Sequence, residues 1–69
     1  MRIDIDYFGV NKQPSSEAMD DGQTIFDLMG RVGVSAQGYI AAIGGELVPV
    51  DQPLNEGDRV TLIRMLKGG

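Results

Sequence analysis

Only one segment of this chain has helical periodicity, and strand-like segments flank it on both sides. Its apolar residues recur at i, i+3, i+4 and i+7 and form one stripe: Ile25, Leu28, Met29 and Val32. Thr24 with Asp27 resembles a capping box at the start of the segment, and Gly33 is a suitable end. A single short helix buries such a stripe most readily against a sheet. The pattern therefore predicts a two-layer α+β domain.

The flanking segments predict five strands. Residues 2–8 alternate, with Ile3, Ile5 and Tyr7 on one face and Asp4, Asp6 and Phe8 on the other. Residues 15–19 indicate a short second strand. Residues 39–43 and 46–50 form a predicted hairpin whose turn is Gly44-Gly45. Pro49 places residues 46–50 at an edge or ends that strand, because proline has no N–H to donate. Residues 59–66, after a turn at 55–58, form the last strand.

The first and last strands are the most apolar, as neighbouring central strands of a mixed sheet would be. The order strand, strand, helix, strand, strand, strand then predicts a β-grasp (ubiquitin-like) domain. We expect a mixed four- to five-stranded sheet with one helix packed on one face. Residues 1–66 form the predicted domain, residues 67–69 a flexible Gly-Gly tail, and Leu54 a plug over one end of the core.

Composition excludes several classes of site. The chain has 69 residues with neither cysteine nor histidine, which excludes disulfides and both thiolate and imidazole metal ligands. A carboxylate-only site stays open at Asp4 with Asp6 or at Asp20 with Asp21. No calcium-loop spacing is visible, so we expect no bound metal or cofactor. A domain of this size has little room for an enclosed active site, and we expect a protein that is not an enzyme.

The net charge of −4 argues against binding to nucleic acid or to anionic membranes, since both depend on basic surfaces. No segment has the roughly 18 apolar residues of a membrane span, and no signal peptide is visible. We therefore expect a soluble, cytoplasmic protein.

The pair Gly68-Gly69 follows the last strand with only Lys67 between them. One interpretation is an ordinary frayed terminus. The other is a chemically active end, because a tip without side chains can enter a narrow channel and approach a nucleotide closely. A carboxylate needs activation before acyl transfer, for which ATP is suited. The chain has no phosphate-binding loop, so a separate enzyme would have to perform that step.

The last strand favours the second interpretation. Val60 and Leu62 should face the core, which places Thr61, Ile63 and Met65 on the opposite face. If no second helix covers that face, Ile63 and Met65 are exposed beside the tail. Their exposure is either incidental or part of a docking patch. The patch we predict comprises Ile63, Arg64, Met65, Leu66 and Lys67.

Three segments together resemble the ThiS/MoaD sulfur carriers. They are residues 41–49 (AAIGGELVP), residues 54–60 (LNEGDRV) and the final Gly68-Gly69, and residues 22–25 (GQTI) match the usual helix entry of that family. The resemblance covers essentially the whole chain. It departs from the family at Gly44, where asparagine is commoner, and at residues 64–67, which are bulkier and more basic than usual.

The resemblance implies a carrier whose Gly69 carboxylate is adenylated by an E1-like enzyme of the ThiF/MoeB type, which uses ATP. A desulfurase then supplies sulfur, and the carboxylate of Gly69 becomes a thiocarboxylate. Gly68, the residue before it, has no side chain to obstruct a narrow channel. The short chain without a proline pair near the tail favours thiamine-type carriers, whose partner is thiazole synthase. The alternatives are the small subunit of molybdopterin synthase, which binds its large subunit, a ubiquitin-like modifier joined to lysines, and a β-grasp interaction module.

Overall fold

The computed structural model describes residues 1–66, in which one helix packs on a five-stranded sheet. The elements are β1 (Arg2–Phe8), β2 (Ser15–Ala18), α1 (Ile25–Val32), β3 (Tyr39–Ile43), β4 (Glu46–Val48) and β5 (Arg59–Arg64). The strand order is β2-β1-β5-β3-β4. Strands β1 and β5 are parallel neighbours, and the other pairs are antiparallel. The predicted β-grasp arrangement is therefore confirmed, with five strands and with β5 at the centre.

The helix forms where the capping residues predict it. The Thr24 hydroxyl accepts from the Asp27 N–H, and the Asp27 carboxylate accepts from the Thr24 N–H, at 3.4 and 2.9 Å. Each bond satisfies a backbone donor that the first turn leaves unpaired. Gly33 ends the helix in the left-handed region at φ 79°, which costs glycine little. No helix within residues 1–66 is long and apolar enough to span a membrane.

The core lies between α1 and one face of the sheet. Its buried side chains come from the helix, from β1, β3 and β5, and from two loops: Ile3, Ile5, Met19, Ile25, Leu28, Met29, Ala41, Leu54, Val60 and Leu62. Leu54 is buried in its polar loop, so the predicted plug is confirmed. No polar side chain among the described residues is buried. The fold therefore rests on apolar burial, at roughly 1.5–3 kcal/mol for each large side chain.

Three predicted strands are longer than the observed ones. Strand β2 stops at Ala18 because Met19 turns into the core, and β4 stops at Val48, next to Pro49. Strand β5 stops at Arg64 rather than at residue 66. Its antiparallel neighbour β3 begins at Tyr39, which pairs with Arg64, and the paired residues of the two strands end there. The hairpin turn is as predicted, with positive φ at both Gly44 and Gly45.

Candidate functional site

The candidate site surrounds the end of β5, where the chain leaves the sheet. Of the residues predicted for it, Ile63, Arg64, Met65 and Leu66 are described by the structure. Lys67, Gly68 and Gly69 lie outside the described residues, so their predicted roles stay predictions.

The backbone at the end of β5 is held from both sides. The Met65 N–H donates to the carbonyl of Gly38 at 2.9 Å, one position beyond the pairing of Arg64 with Tyr39. On the other side, Gly9 adopts φ 81°, and a Cβ there would lie 3.3 Å from the Arg64 carbonyl oxygen. Only glycine fits this close approach in a left-handed conformation without strain. The last anchored residue is therefore Met65.

Beyond Met65, the Leu66 side chain is 87% exposed. Together with Gly38, Tyr39, Arg64 and Met65 it lines an open depression of about 560 Å³. An exposed leucine in such a place has no packing role within the domain. The depression therefore leaves the Leu66 side chain accessible to other molecules.

An apolar row lies beside this depression on the face of the sheet opposite the helix. The register pairs Phe8 with Ile63 across β1 and β5, and Ile63 with Ile40 across β5 and β3. We call these three residues, Phe8, Ile63 and Ile40, the open-face row. Phe8 is 68% exposed, whereas Ile63 is half-buried because the row packs against itself. The predicted face of β5 is confirmed, since Val60 and Leu62 are fully buried on the other side.

The far half of the same face is charged. The Arg59 guanidinium donates to an Asp6 carboxylate oxygen at 2.8 Å and lies 3.7 Å from Asp4. The Ser16 hydroxyl donates to Asp4 at 2.7 Å, and this hydrogen bond holds the pKa of Asp4 below its ordinary value. Partial desolvation acts in the opposite direction and raises this pKa, whereas the positive charges of Arg2 and Arg59 lower it further. The hydrogen bond to Asp6 stabilises the charged guanidinium and so raises the pKa of Arg59 above its ordinary value. Because these charged side chains pair with one another, the net electrostatic field that they present to a partner is small.

No group of three or more metal-ligating side chains occurs within residues 1–66. Asp4 and Asp6, one of the two carboxylate pairs left open by the sequence, are instead occupied by Arg59. Phe8 in the open-face row and Leu66 beside the depression instead leave an apolar surface open to solvent near the end of β5.

Sequence reasoning missed two members of the open-face row, Phe8 and Ile40. Alternation did place Phe8 on the face opposite Ile3 and Ile5. What alternation cannot give is the register that brings residues 8, 40 and 63 into line, because the three strands are far apart in the chain.

Comparison with known proteins gives one sequence family. The chain matches the family model for small archaeal modifier protein 2 over residues 1–66. It is 38% identical over 60 residues to small archaeal modifier protein 2 of Haloferax volcanii, an alignment that covers 87% of this chain and 89% of the relative.

Solved structures with the same architecture include the three that follow. A chain of the complex of subunits 1 and 2 of the molybdopterin-converting factor from Helicobacter pylori 26695 superposes with a TM-score of 0.74 at 18% identity, over all of both chains. SAMP1 from Haloferax volcanii gives 0.73 at 18% identity, again over all of both chains. Caldiarchaeum subterraneum ubiquitin gives 0.74 at 15% identity, covering all of this chain and 98% of its own. At these identities the likeness establishes the fold alone.

Proposed function

This chain belongs to the small archaeal modifier protein 2 family, and we propose from that premise that it is a ubiquitin-like modifier joined through Gly69 to lysine amines of other proteins. It acts as a protein cosubstrate rather than as an enzyme. The thiamine-type sulfur carrier favoured by the sequence resemblance becomes the second candidate, because the matched family is one of modifiers.

The proposed reaction has two steps, both on the Gly69 carboxylate. An oxygen of the carboxylate attacks the α-phosphate of ATP on an E1-like enzyme, pyrophosphate leaves, and an acyl adenylate forms. A neutral lysine amine of the target then attacks the acyl carbon, AMP leaves, and the amine gives up a proton to solvent. The product is an isopeptide bond. ATP is thus bound by the partner enzyme, and this chain needs no cofactor of its own.

The observation that carries the proposal is the position of β5. Strand β5 lies in the middle of the sheet, and its last paired residue is Arg64. The open-face row crosses β5 at Ile63, the residue before Arg64. A partner that docks on the row would find the chain leaving the sheet at a fixed point, through the Met65–Gly38 hydrogen bond. Gly68-Gly69 then follows three residues after Met65 in the sequence.

Sulfur transfer is a second candidate because residues 41–49, 54–60 and 68–69 resemble those of the ThiS/MoaD sulfur carriers. Like the modifier reaction, sulfur transfer begins with adenylation of the Gly69 carboxylate. The persulfide of a desulfurase would attack the acyl carbon with loss of AMP, and a thiol reductant would cleave the resulting disulfide, leaving a thiocarboxylate on Gly69. Thiazole synthase and the large subunit of molybdopterin synthase are then alternative acceptors.

Lys67 makes the modifier proposal directly testable. Trypsin cleaves after lysine, so it would leave Gly68-Gly69 as a remnant on each modified lysine. We expect mass spectrometry of trypsin-digested cell extract to find such remnants when this chain is expressed. The matched control is the variant that lacks residues 68 and 69, which should give none.

Absence of remnants from the full chain, with an enzyme that demonstrably adenylates it, would contradict the modifier proposal. Intact-mass measurement in the same samples tests the second candidate. An oxygen-to-sulfur mass increase on the free chain, found only when a desulfurase and a persulfide source are present, is the expected signature of the carrier.

A further inference from the structure

The charged residues of this acidic protein are unevenly distributed around the end of β5. The segments in contact with it are residues 7–12 and residues 38–40, and together with residues 62–66 we call them the tail end. They contain no aspartate or glutamate, and their charged residues are Lys12 and Arg64. All ten acidic side chains of the chain lie elsewhere. The part of a −4 protein nearest its tail is therefore positive.

Both positive side chains are supported by the fold. Lys12 is exposed, and its Nζ lies 5.4 Å from the centre of the Tyr7 ring, within cation–π range. Arg64 is exposed as well, and its backbone packs against Gly9, three residues before Lys12. The nearest acid in the sequence, Asp6, is already paired with Arg59 at 2.8 Å. It therefore does not neutralise the tail end.

The two charges lie on the side of the sheet opposite the open-face row. Arg64 shares the alternation of Val60 and Leu62, which face the helix, and Tyr7 pairs with Leu62 on that same side. Ile63 and its neighbours face the other way. The chain thus leaves β5 between an apolar surface on one side and two cations on the other.

We propose that Lys12 and Arg64 form a basic surface that binds an acidic lip at the entrance of the channel into which the E1-like enzyme takes the tail. This inference rests on the proposed function and adds the chemistry of the partner. The occupant is an acidic protein surface, because charge complementarity speeds encounter and suppresses wrong partners. The open-face row supplies apolar contact, whereas the two cations fix on which side of the tail the partner sits.

The test measures adenylation kinetics with the E1-like enzyme of the same genome, by ATP–pyrophosphate exchange at several salt concentrations. We expect Lys12→Gln and Arg64→Gln each to raise KM for this chain about fivefold at low salt, the effect of one unit-charge pair at contact distance in solvent, with kcat unchanged. The increase should shrink as salt rises, since exposed charges are screened. Lys12→Arg keeps the charge and should keep the wild-type KM.

Arg31→Gln is the control, because it removes one positive charge from the surface of α1, outside the tail end, together with a hydrogen bond to the Ala18 carbonyl and an ion pair with Glu17. It should leave KM within about twofold of wild type, as expected for a surface charge at high dielectric away from the contact. Equal effects of Arg31→Gln and Arg64→Gln would overturn the inference, and so would wild-type KM in both tail-end variants. Circular dichroism checks that each variant is folded. If the wild-type chain itself is not adenylated, the proposed function fails, which is a distinct result.

Discussion

Replacing Ile63 by aspartate tests the open-face row most directly, because Ile63 is its middle member. The side chain is half-buried between Phe8 and Ile40, and each cross-strand pair is worth roughly 0.2–1 kcal/mol. Losing both pairs costs about 0.5–2 kcal/mol of stability. A domain of this length should have about 3–10 kcal/mol in total, at roughly 0.05–0.15 kcal/mol per residue. We therefore expect Ile63→Asp to stay folded.

Docking should suffer far more than folding. Truncation of a hot-spot side chain near the centre of a protein interface costs about 2 kcal/mol or more, which corresponds to about 30-fold in Kd. Isothermal titration calorimetry of Ile63→Asp against the E1-like enzyme should show a loss of at least that size. Phe26→Asp is the matched control, since Phe26 is an exposed apolar residue on the helix, on the other face of the domain. We expect it to bind as the wild type does.

Two results would refute this reasoning. If Ile63→Asp binds within about threefold of the wild type, the open-face row is not where the enzyme docks. If circular dichroism shows that the variant is unfolded at room temperature, Ile63 contributes to the core more than its half-buried position implies.

Three further predictions concern stability. Leu54→Ala should lower the free energy of unfolding in urea by about 2–5 kcal/mol because it empties a buried site, whereas Leu47→Ala, at an exposed position, should change it by less than about 0.5 kcal/mol. Thr24→Ala removes the helix N-cap and should cost about 1 kcal/mol, measured by the same urea titration. The lowered pKa of Asp4 means that its contribution to stability is present above the unfolded value of 3.8 and is lost as pH falls through the lower, folded value. Between about pH 6 and about pH 2 the Tm of Asp4→Asn should accordingly fall less than that of the wild type, and an equal fall in both proteins would contradict the assigned cause.

Local sequence rules predicted most of the elements. Thr24 with Asp27 marked the start of the helix, Gly33 its end, and Gly44-Gly45 the hairpin, because each acts within a few residues. Alternation also gave the buried face of β5 correctly. Where strands end was predicted less well, since an end depends on the neighbouring strand. Thus β5 stops at Arg64, which pairs with the first residue of β3.

What local rules could not provide is the grouping of residues across strands. Phe8 and Ile63 come together through the parallel pairing of the first and last strands, and Asp6 meets Arg59 in the same way. Nothing in the spacing of these residues specifies which of several possible registers forms, because hydrophobic alternation is satisfied by any shift of two residues. The sequence therefore indicated the candidate site only through residues 63–69, and not through the residues of β1 and β3 that lie beside them.

The central position of β5 also bears on how much affinity a partner can gain. Ordering the backbone of one residue costs about 1–2 kcal/mol, so a docking strand that had to fold on binding would use up much of the interaction energy. Here residues 60–63 are already paired on both sides, and the Met65 N–H donates to the Gly38 carbonyl. A partner that contacts the open-face row thus incurs no ordering cost for the strand that carries Ile63. The binding free energy from this row is then available to hold the chain beyond the sheet, where the proposed chemistry takes place.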